Sequence, residues 1–471
     1  MQKGLFGSKP RSSKKSDKQL LAQRKNRQPA VMTTYISGDN LRDSVARAKT
    51  MSRRIFGPVL DKLELVTEEG ILLKYLQAIL KNGVCALDTE TDGLDSIHDE
   101  LVGVCLYTPG QKSIYVPINH VSNMTKVRLK GQVSVESMKL FIQSLVDNDI
   151  DIIYHNAKFD MKSIYWRLGI KVNEPAWDTF LASMLLNENE PHSLKLLHAK
   201  YVKEEADADV AKFNDLFKGI PFSLIPLDVA FMYAAYDPLQ TYELYEFQKK
   251  YLTPGSPECS EYKLDRVAWV FENIEMPLIK VLFDMEVYGV NLDTDKLADI
   301  REEFTAKMNE AEETFNDLVK EYAPEIEELR QIDFGSYQKL EMDARGNVTV
   351  SISSSTQLAI LFYDIMGLKS PDDKKPRGTG EEIVSSFNDP IAEALLLYRK
   401  YAKLVSTYTT MDQHQAKPDK RVHTTFKQYG AKTGRMSSEN PNLQNIPSRG
   451  EGAVIRQIFS ASPGHYIIGS D

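Results

Sequence analysis

The sequence has little of what stabilises small secreted domains or membrane spans. Three cysteines are spread over 471 residues, too few and too scattered for a disulfide framework or a paired-cysteine metal site. Cys85 and Cys105 lie in apolar, strand-like stretches, where burial in a core explains them. No apolar run approaches the roughly 18 residues that cross a bilayer. These absences exclude the secreted disulfide-rich and membrane classes, predict no membrane partner, and favour the reducing cytoplasm.

The chain is long enough for several domains, and its charge is unevenly distributed. Its length exceeds the usual domain size of about 100 to 200 residues. The net charge of -8, taken alone, argues against a nucleic-acid partner. Residues 1–55 are nevertheless strongly basic, whereas acidic residues concentrate at 301–329, as expected for the solvated face of a long helix.

The composition predicts four segments. Residues 1–55 form a basic arm, predicted to be disordered, that could be a solubilising tail, a polyanion-binding arm or a targeting presequence. Residues 56–255 alternate strand-like and helical patterns, which predicts an α/β domain on a mixed sheet. Residues 256–415 are mostly helical, with a turn-rich strip at 331–352 that fits a small hairpin. Residues 416–471 return to strand-like runs.

Acidic residues follow two of the predicted strands. Asp88 and Glu90 lie two positions apart at the end of an apolar strand, so both side chains project to one face and can share a divalent cation. Alone, they also fit a surface pair at a strand end. Asp160 follows another strand, in HNAKFD, and begins a predicted helix, where a carboxylate also interacts favourably with the helix dipole.

A tyrosine and an aspartate share a helix face further along. Tyr233 and Asp237, in MYAAYD, are four residues apart, so their side chains can point into the same cleft. Tyr236, next to Asp237, should face elsewhere on the helix.

In their order and local context, these three motifs resemble the Exo I, Exo II and Exo III motifs of the DEDD exonuclease superfamily, in its tyrosine-containing branch. The resemblance implies an α/β ribonuclease H-like domain with 3′→5′ exonuclease activity on a single-stranded 3′ end. It also implies two divalent cations, Mg²⁺ or Mn²⁺, across the scissile phosphate. The residues implied are the metal ligands Asp88, Glu90, Asp160 and Asp237, and Tyr233, which orients the attacking water.

Two further positions extend this resemblance. Leu94 matches a residue that wedges against the unpaired 3′ base, although simple packing would also explain it. Asn156 matches a residue that supports the site, although a helix cap would also explain it. The triplet at 98–100, HDE, resembles a polymerase motif but lies in a loop, and we interpret it as coincidence.

The second half of the chain resembles the family A, or polymerase I-like, DNA polymerases. Residues 285–293, 354–368 and 395–408 resemble, in that order, parts of the family thumb, although each alone fits helical core. Residues 421–449 contain TGRMSSENPNLQNIPSR, a string close to diagnostic of the family. The resemblance implies a mostly helical thumb followed by an incomplete α+β palm.

The same resemblance implies contacts with a DNA primer-template. Arg435 would reach into the minor groove at the primer-terminal base pair, where the degenerate acceptor pattern suits a sequence-blind check. The other candidates in the same palm segment are Asn442, Gln444 and Asn445, and the alternative explanation for this segment is a polar turn with purely local hydrogen bonds. Lys374, Lys375 and Arg377 are candidate phosphate contacts of the thumb, for which a solvated basic loop is the alternative explanation.

Asp471 occupies the place of the first metal-binding palm carboxylate. The fingers and the second palm carboxylate have no counterpart in the sequence. The leading hypothesis is the N-terminal part of a split phage polymerase that replicates DNA in the bacterial host cytoplasm, with a second chain supplying the rest; a truncation, an intron or an intein would look the same. The alternatives are a stand-alone 3′→5′ DNA exonuclease and a non-catalytic DNA-binding subunit.

Overall fold

In the computed structural model, the chain divides into two compact units, Met1–Val287 and Tyr288–Asp471. The structure describes residues 38–122, 124–203, 217, 220–332, 335, 337–342, 348–431 and 433–469. The start of the predicted basic arm, residues 1–37, and the candidate metal ligand Asp471 lie outside the described residues.

A six-stranded mixed sheet forms the centre of the first unit. Its spatial order is β1-β4-β3-β2-β5-β6. The central strand β2 pairs antiparallel with β3 and parallel with β5, so the predicted mixed sheet is confirmed. The strands are β1 (Leu63–Leu65), β2 (Val84–Thr91), β3 (Leu101–Tyr107), β4 (Ser113–Pro117), β5 (Asp151–Tyr154) and β6 (Trp177–Asp178).

Helices cover the sheet of the first unit and continue beyond it. In chain order they are α1 (Gly38–Phe56), α2 (Glu69–Asn82), α3 (Val135–Asp147), α4 (Ala157–Leu168), α5 (Thr179–Leu186), α6 (Leu194–His198), α7 (Leu227–Ala234), α8 (Tyr236–Leu252), α9 (Pro257–Glu261), α10 (Asp265–Val270) and α11 (Met276–Tyr288). The unit therefore extends to Val287, whereas the composition placed the end of this domain at residue 255.

The first helix corrects the predicted arm. Residues 38–56 form α1, so the prediction of a disordered arm is wrong for residues 38–55. The apolar side chains of α1 recur at helical spacing, and Ala48 and Phe56 are fully buried in the core of the unit. The ring of Phe56 packs edge-on against Tyr236, with 5.8 Å between centroids. Arg47, Arg53 and Arg54 stay exposed, because one helix face can be basic while the other packs.

The second unit is mostly helical with short strand pairs. Its helices are α12 (Thr294–Val319), α13 (Ala323–Gln331), α14 (Ser355–Ala359), α15 (Glu381–Val384) and α16 (Pro390–Thr407), and its strands are β7 (Asn291–Leu292), β8 (Glu341–Met342), β9 (Val348–Thr349), β10 (Thr425–Lys427), β11 (Ser437–Glu439) and β12 (Phe459–Ser460). The antiparallel pair β8–β9 confirms the predicted hairpin. Helix α12 packs along α16, with Phe304 beside Tyr401.

Two buried clusters stabilise the second unit. One joins α12, the end of α16, β7 and the segment before β12 through Leu292, Phe304, Tyr408 and Ile458. The other includes Phe315 at the far end of α12. The long helix thus connects both clusters, and its exposed face carries the acidic residues that the sequence placed there.

No described helix is long and apolar enough to cross a membrane.

Candidate active site

The two carboxylates of β2 project from one face of the central sheet. Asp88 and Glu90 are half-buried, and Asp88 pairs in register with Cys105 on β3. One ligand atom from each of these three residues lies within 4.8 Å of the other two. The sequence predicted the shared face of the carboxylates, but it gave no register between β2 and β3 and therefore missed the thiol.

Asp160 is fixed to β2 through hydrogen bonds. Strand β5 pairs with β2 only from Val84 to Ala86, which leaves the later part of that edge open to another partner. Asp160 Oδ1 accepts hydrogen bonds there from the Thr89 amide at 2.8 Å and the Thr89 hydroxyl at 2.6 Å. The side chain of Asp160 is buried.

A second buried aspartate holds the start of the helix that carries Asp160. Asp178 accepts hydrogen bonds from the amides of Asn156 at 3.1 Å and Ala157 at 2.8 Å. The same carboxylate caps α5 by accepting from the Phe180 amide. Asp178 thus orients α4, a role that sequence reasoning missed although a cap before an apolar helix was visible as a signal.

Tyr233 and Asp237 lie on consecutive helices. Tyr233 is in the last turn of α7 and Asp237 in the first turn of α8, with Ala235 between the two helices in helical conformation. The predicted single helix is therefore interrupted, but its direction continues. Lys195 on α6 links the two residues: its Nζ lies 3.2 Å from Asp237 Oδ2 and 3.5 Å from the centroid of the Tyr233 ring. Sequence reasoning missed Lys195, because no spacing relates it to the acidic motifs.

The carboxylates and Lys195 shift one another's ionisation. Burial, followed by the charge of Asp237, raises the pKa of Glu90 to about 8. Burial raises the pKa of Asp160 to about 7 against the Thr89 hydrogen bonds, and burial with Asp160 raises the pKa of Asp88. Burial lowers the pKa of Lys195, but Asp237 and Tyr233 outweigh it and the net shift is upward. Four acids and one cation thus form a single electrostatic group.

The arrangement of oxygens fits a hard divalent cation. Asp237 Oδ1 is buried and has no hydrogen-bond partner among the described residues. A buried carboxylate oxygen without a partner is costly unless a cation or water completes it. Carboxylate oxygens are also the ligands that Mg²⁺ and Mn²⁺ prefer. Asp88, Glu90, Asp160 and Asp237 could therefore hold such ions.

Leu94 and Asn156 are both exposed to solvent. The Leu94 side chain is 92% exposed, so packing does not explain it. Its loop is held by Arg167, whose guanidinium donates to the backbone oxygens of Ile97 and Asp99, each at 2.7 Å. Asn156 precedes α4 with a φ of 73° and makes no side-chain capping hydrogen bond, so the cap alternative is wrong.

The candidate DNA contacts of the palm segment are exposed. Arg435, Asn442, Gln444 and Asn445 all face solvent. The Asn442 side-chain oxygen accepts from the amides of Gln444 and Asn445 at 3.0 and 3.2 Å, so part of its capacity serves the local turn.

The candidate phosphate contacts of the thumb are all exposed, but one of them forms an ion pair with an acid. Lys374 and Lys375 are exposed. Arg377 is also exposed, but both of its terminal nitrogens donate to the Asp364 carboxylate at 2.5 and 2.7 Å. A bidentate pair of this kind holds the guanidinium in place.

Comparison with known proteins supplies the family. Residues 63–252 match the family model for 3′-5′ exonuclease, and residues 294–471 match the model for DNA polymerase family A. The chain is 29% identical to DNA polymerase I of Treponema pallidum and 30% identical to DNA polymerase I of Chloroflexus aurantiacus, over 86% of this chain and 40% of each relative. It is 26% identical to the DNA polymerase of Escherichia phage T5, over 92% of this chain and 48% of that one.

A solved structure has the same fold. The POL domain of Pol1 from M. smegmatis, in complex with DNA primer-template and dNTP, aligns with a TM-score of 0.60 at 20% identity, covering 86% of this chain and 59% of that one. The chain belongs to family A of the DNA polymerases and carries the 3′-5′ exonuclease domain found in that family. It spans about 40% of the length of the two DNA polymerase I relatives.

The electrostatic group predicts opposite effects of two substitutions on stability. A carboxyl whose pKa is raised in the folded state binds more protons there than in the unfolded state, so unfolding free energy falls as pH rises from about 4.5 towards 8. We expect Glu90→Gln to raise the melting temperature at pH 8.5 in metal-free buffer, by on the order of 2–4 °C for each kcal/mol of unfolding free energy gained. Near pH 4 the variant should lose this advantage.

Lys195→Met should lower the melting temperature, because the remaining carboxylates lose their cation. Both are measured by thermal unfolding in chelator.

The control is Glu174→Gln, because Glu174 is exposed and should melt like the parent protein. If Glu90→Gln melted at or below the parent at pH 8.5, the destabilising repulsion at this site would be disproved.

Proposed function

We propose that this chain is the exonuclease-containing part of a DNA-directed DNA polymerase and removes mispaired nucleotides from a 3′ end during replication. The observation that supports this is the convergence of five residues from three separate segments, Asp88, Glu90, Asp160, Tyr233 and Asp237, at one end of the central sheet. Neither simple packing nor a surface ion pair explains so many acids around Asp237 Oδ1, a buried oxygen that has no hydrogen-bond partner among the described residues.

The proposed reaction is hydrolysis of the terminal phosphodiester. Water adds to phosphorus, the bond from phosphorus to O3′ breaks, and the products are a nucleoside 5′-monophosphate and a strand shortened by one residue. Two divalent cations, Mg²⁺ or Mn²⁺, would supply Lewis-acid charge when held by the four carboxylates. We also propose that Asp471 is a metal ligand of the polymerase site.

Tyr233 would orient the attacking water, and Lys195 would act on a carboxylate of the site. Burial raises the pKa of Tyr233 to about 12, so the phenol stays protonated at neutral pH and serves as a hydrogen-bonding guide rather than as a base. Lys195 is a buried cation beside Asp237, and it would keep that carboxylate ionised and oriented. Leu94, exposed above a fixed loop, would contact the unpaired base, and Asn156 would support the strand end.

The second unit would hold the primer-template. Arg435, Asn442, Gln444 and Asn445 present polar groups to solvent, as minor-groove and backbone contacts require. The exposed side chains of Lys374 and Lys375 form no ion pair within the part of the chain that the structure describes, whereas Arg377 would have to leave Asp364 first. Nucleotide addition is proposed for the whole polymerase only.

A second chain that supplies fingers and the rest of the palm remains a prediction, which copurification from infected or expressing bacteria would test. We also propose that the protein acts in the bacterial cytoplasm, which its similarity to bacterial and phage DNA polymerases supports.

Removing Asp160 should abolish the hydrolysis. Asp160→Ala deletes a metal ligand and the contact with Thr89, and we expect release of nucleotides from a labelled single-stranded 3′ end to fall to the level seen in chelator. The control Asp147→Ala removes an exposed carboxylate on α3 and should retain activity. Undiminished release by folded Asp160→Ala would refute the site.

The two neighbouring tyrosines should differ in their effect. Tyr233→Phe keeps the ring beside Lys195 but removes the hydroxyl, and we expect the cleavage rate to fall by roughly 10²-fold, the lower end for a group that handles protons. Tyr236→Phe, a buried residue that packs on Phe56, should stay within a few-fold of the parent. Single-turnover cleavage at saturating Mg²⁺ measures both rates; equal losses would show that Tyr233 has no special role.

The thumb lysines should contribute to binding more than Arg377. Lys374→Ala with Lys375→Ala should weaken binding of a primer-template and make it less dependent on salt, by about one unit of logarithmic slope for each lost contact. Arg377→Ala should change the slope less, because its guanidinium is already paired with Asp364. Fluorescence anisotropy at several salt concentrations provides the slopes, and identical slopes for parent and double variant would exclude the lysines from the DNA contact.

A further inference from the structure

A basic loop leaves the central sheet beside the candidate active site. Strand β4 runs in the same direction as β2, because both pair antiparallel with β3. Pro117, the last residue of β4, is in register with Gly103 on β3, and Gly103 is in register with Glu90 on β2. The chain therefore leaves β4 on the row of the sheet that holds Glu90, two strand spacings or about 10 Å away. Residues 124–130, which we call the basic loop, follow a few residues later.

Side-chain and backbone contacts tie the base of this loop to the candidate active site. The Val121 amide donates a hydrogen bond to the Ser223 backbone oxygen at 3.0 Å. The amide and hydroxyl of Ser223 donate in turn to the carboxylate of Asp92, just beyond the end of β2, at 2.8 and 2.9 Å. The ring of the neighbouring Phe222 lies 6.5 Å from that of Tyr233, between centroids. The loop and the tyrosine proposed to orient water thus share one anchor.

Hydrogen bonds hold the backbone of the basic loop in one shape. The guanidinium of Arg128 donates to the backbone oxygens of Ile118 and Val133 at 2.6 and 2.7 Å. The side chain of Gln132 accepts from the His120 amide at 2.8 Å and donates to the His120 oxygen at 3.0 Å. Because the loop is held from both sides, its outward side chains lose little further backbone entropy when they bind a partner.

The outward side chains of the basic loop alternate apolar and basic groups. Its sequence, MTKVRLK, contains no acidic residue, although the whole chain has a net charge of -8. Met124 and Val127 are 94% and 64% exposed, so burial in the fold explains neither of them. Lys126 and Lys130 are exposed beside them. Surfaces that bind single-stranded DNA combine positive charge for the phosphates with flat or apolar side chains for the unstacked bases.

We propose that the basic loop binds the single strand of DNA whose 3′ end lies in the candidate active site. Lys126 and Lys130 contact its phosphates. Met124 and Val127 contact bases on the 5′ side of the terminal base, which Leu94 would contact. The inference rests on the proposed function, because it assumes that a 3′ end enters this site, but binding is measured without cleavage.

Removal of the two lysine charges tests the phosphate contacts. Binding of a 5′-labelled strand of about 16 thymidines, the upper end of what such surfaces cover, is followed by fluorescence anisotropy in chelator at several salt concentrations. We expect Lys126→Gln with Lys130→Gln to reduce the logarithmic salt slope by about 0.7 for each lost contact. The control, Lys74→Gln with Lys81→Gln, removes two exposed lysines of α2 and should keep the parent slope. A parent that does not bind the strand, or equal slopes for the parent and the loop variant, would overturn the inference.

Removal of the apolar side chains tests the base contacts. Met124→Ala with Val127→Ala should weaken binding of the single strand by at least ~4-fold, the equivalent of one buried methylene. Binding of a blunt duplex of the same length should not change, because its bases are stacked. The control, Leu73→Ala with Leu140→Ala, replaces two leucines of α2 and α3 that are 60% and 61% exposed, and it should bind like the parent. Unchanged single-strand affinity in the loop variant, or an equal loss for the duplex, would contradict the base contacts.

A cleavage assay separates this inference from the proposed function. In Mg²⁺, both loop variants should raise KM for the long strand by the factor by which their affinity falls, with kcat unchanged, because the loop acts on binding alone. A thymidine dinucleotide, too short to reach the loop, should be cleaved as by the parent. An unchanged KM for the long strand, or a raised KM for the dinucleotide, would overturn the inference. A parent chain that binds the strand through the loop but cleaves no DNA would disprove the proposed function and leave the binding surface intact.

Discussion

Four carboxylates crowded at one end of a sheet repel one another, and burial adds to the cost of their charge. The rest of the first unit serves to hold them there. Thr89 fixes Asp160 with two hydrogen bonds to one oxygen, and Lys195 supplies a cation to Asp237. These contacts leave Asp237 Oδ1 without a hydrogen-bond partner among the described residues, and this is an oxygen that we propose for cation binding. The proposed chemistry would therefore oppose stability at this site, as is common where function requires charge.

The acids lie where the regular pairing between strands of the sheet stops. Strand β5 leaves β2 after Ala86, and the free edge beyond it receives the side chain of Asp160. A bulge follows Glu90 and ends the carboxylate pair. On the other side, Gly103 lies opposite Glu90, and a Cβ there would come within 2.3 Å of the Tyr115 ring. The site thus depends on a glycine that lets a buried aromatic ring pass beneath it.

Local patterns predicted what depends on local periodicity. The shared face of Asp88 and Glu90 follows from strand alternation, and the proximity of Tyr233 and Asp237 follows from helical spacing; the structure has both. Lys195 and Asp178 were missed, because their partners lie 42 and 22 residues away and only the tertiary fold brings them together. The prediction for residues 38–56 was wrong for a different reason. Their arginines dominate the composition, and their apolar side chains share one face only when the segment is helical.

The register between β2 and β3 was the least predictable feature of the site. Shifting the pairing by one residue would turn Cys105 to the other face of the sheet, and composition alone gives no reason to prefer either. In the observed register the fully buried thiol of Cys105 lies directly opposite Asp88. The side chain that packs beside the acids is therefore determined by the pairing of two strands, which no local pattern in either strand reveals.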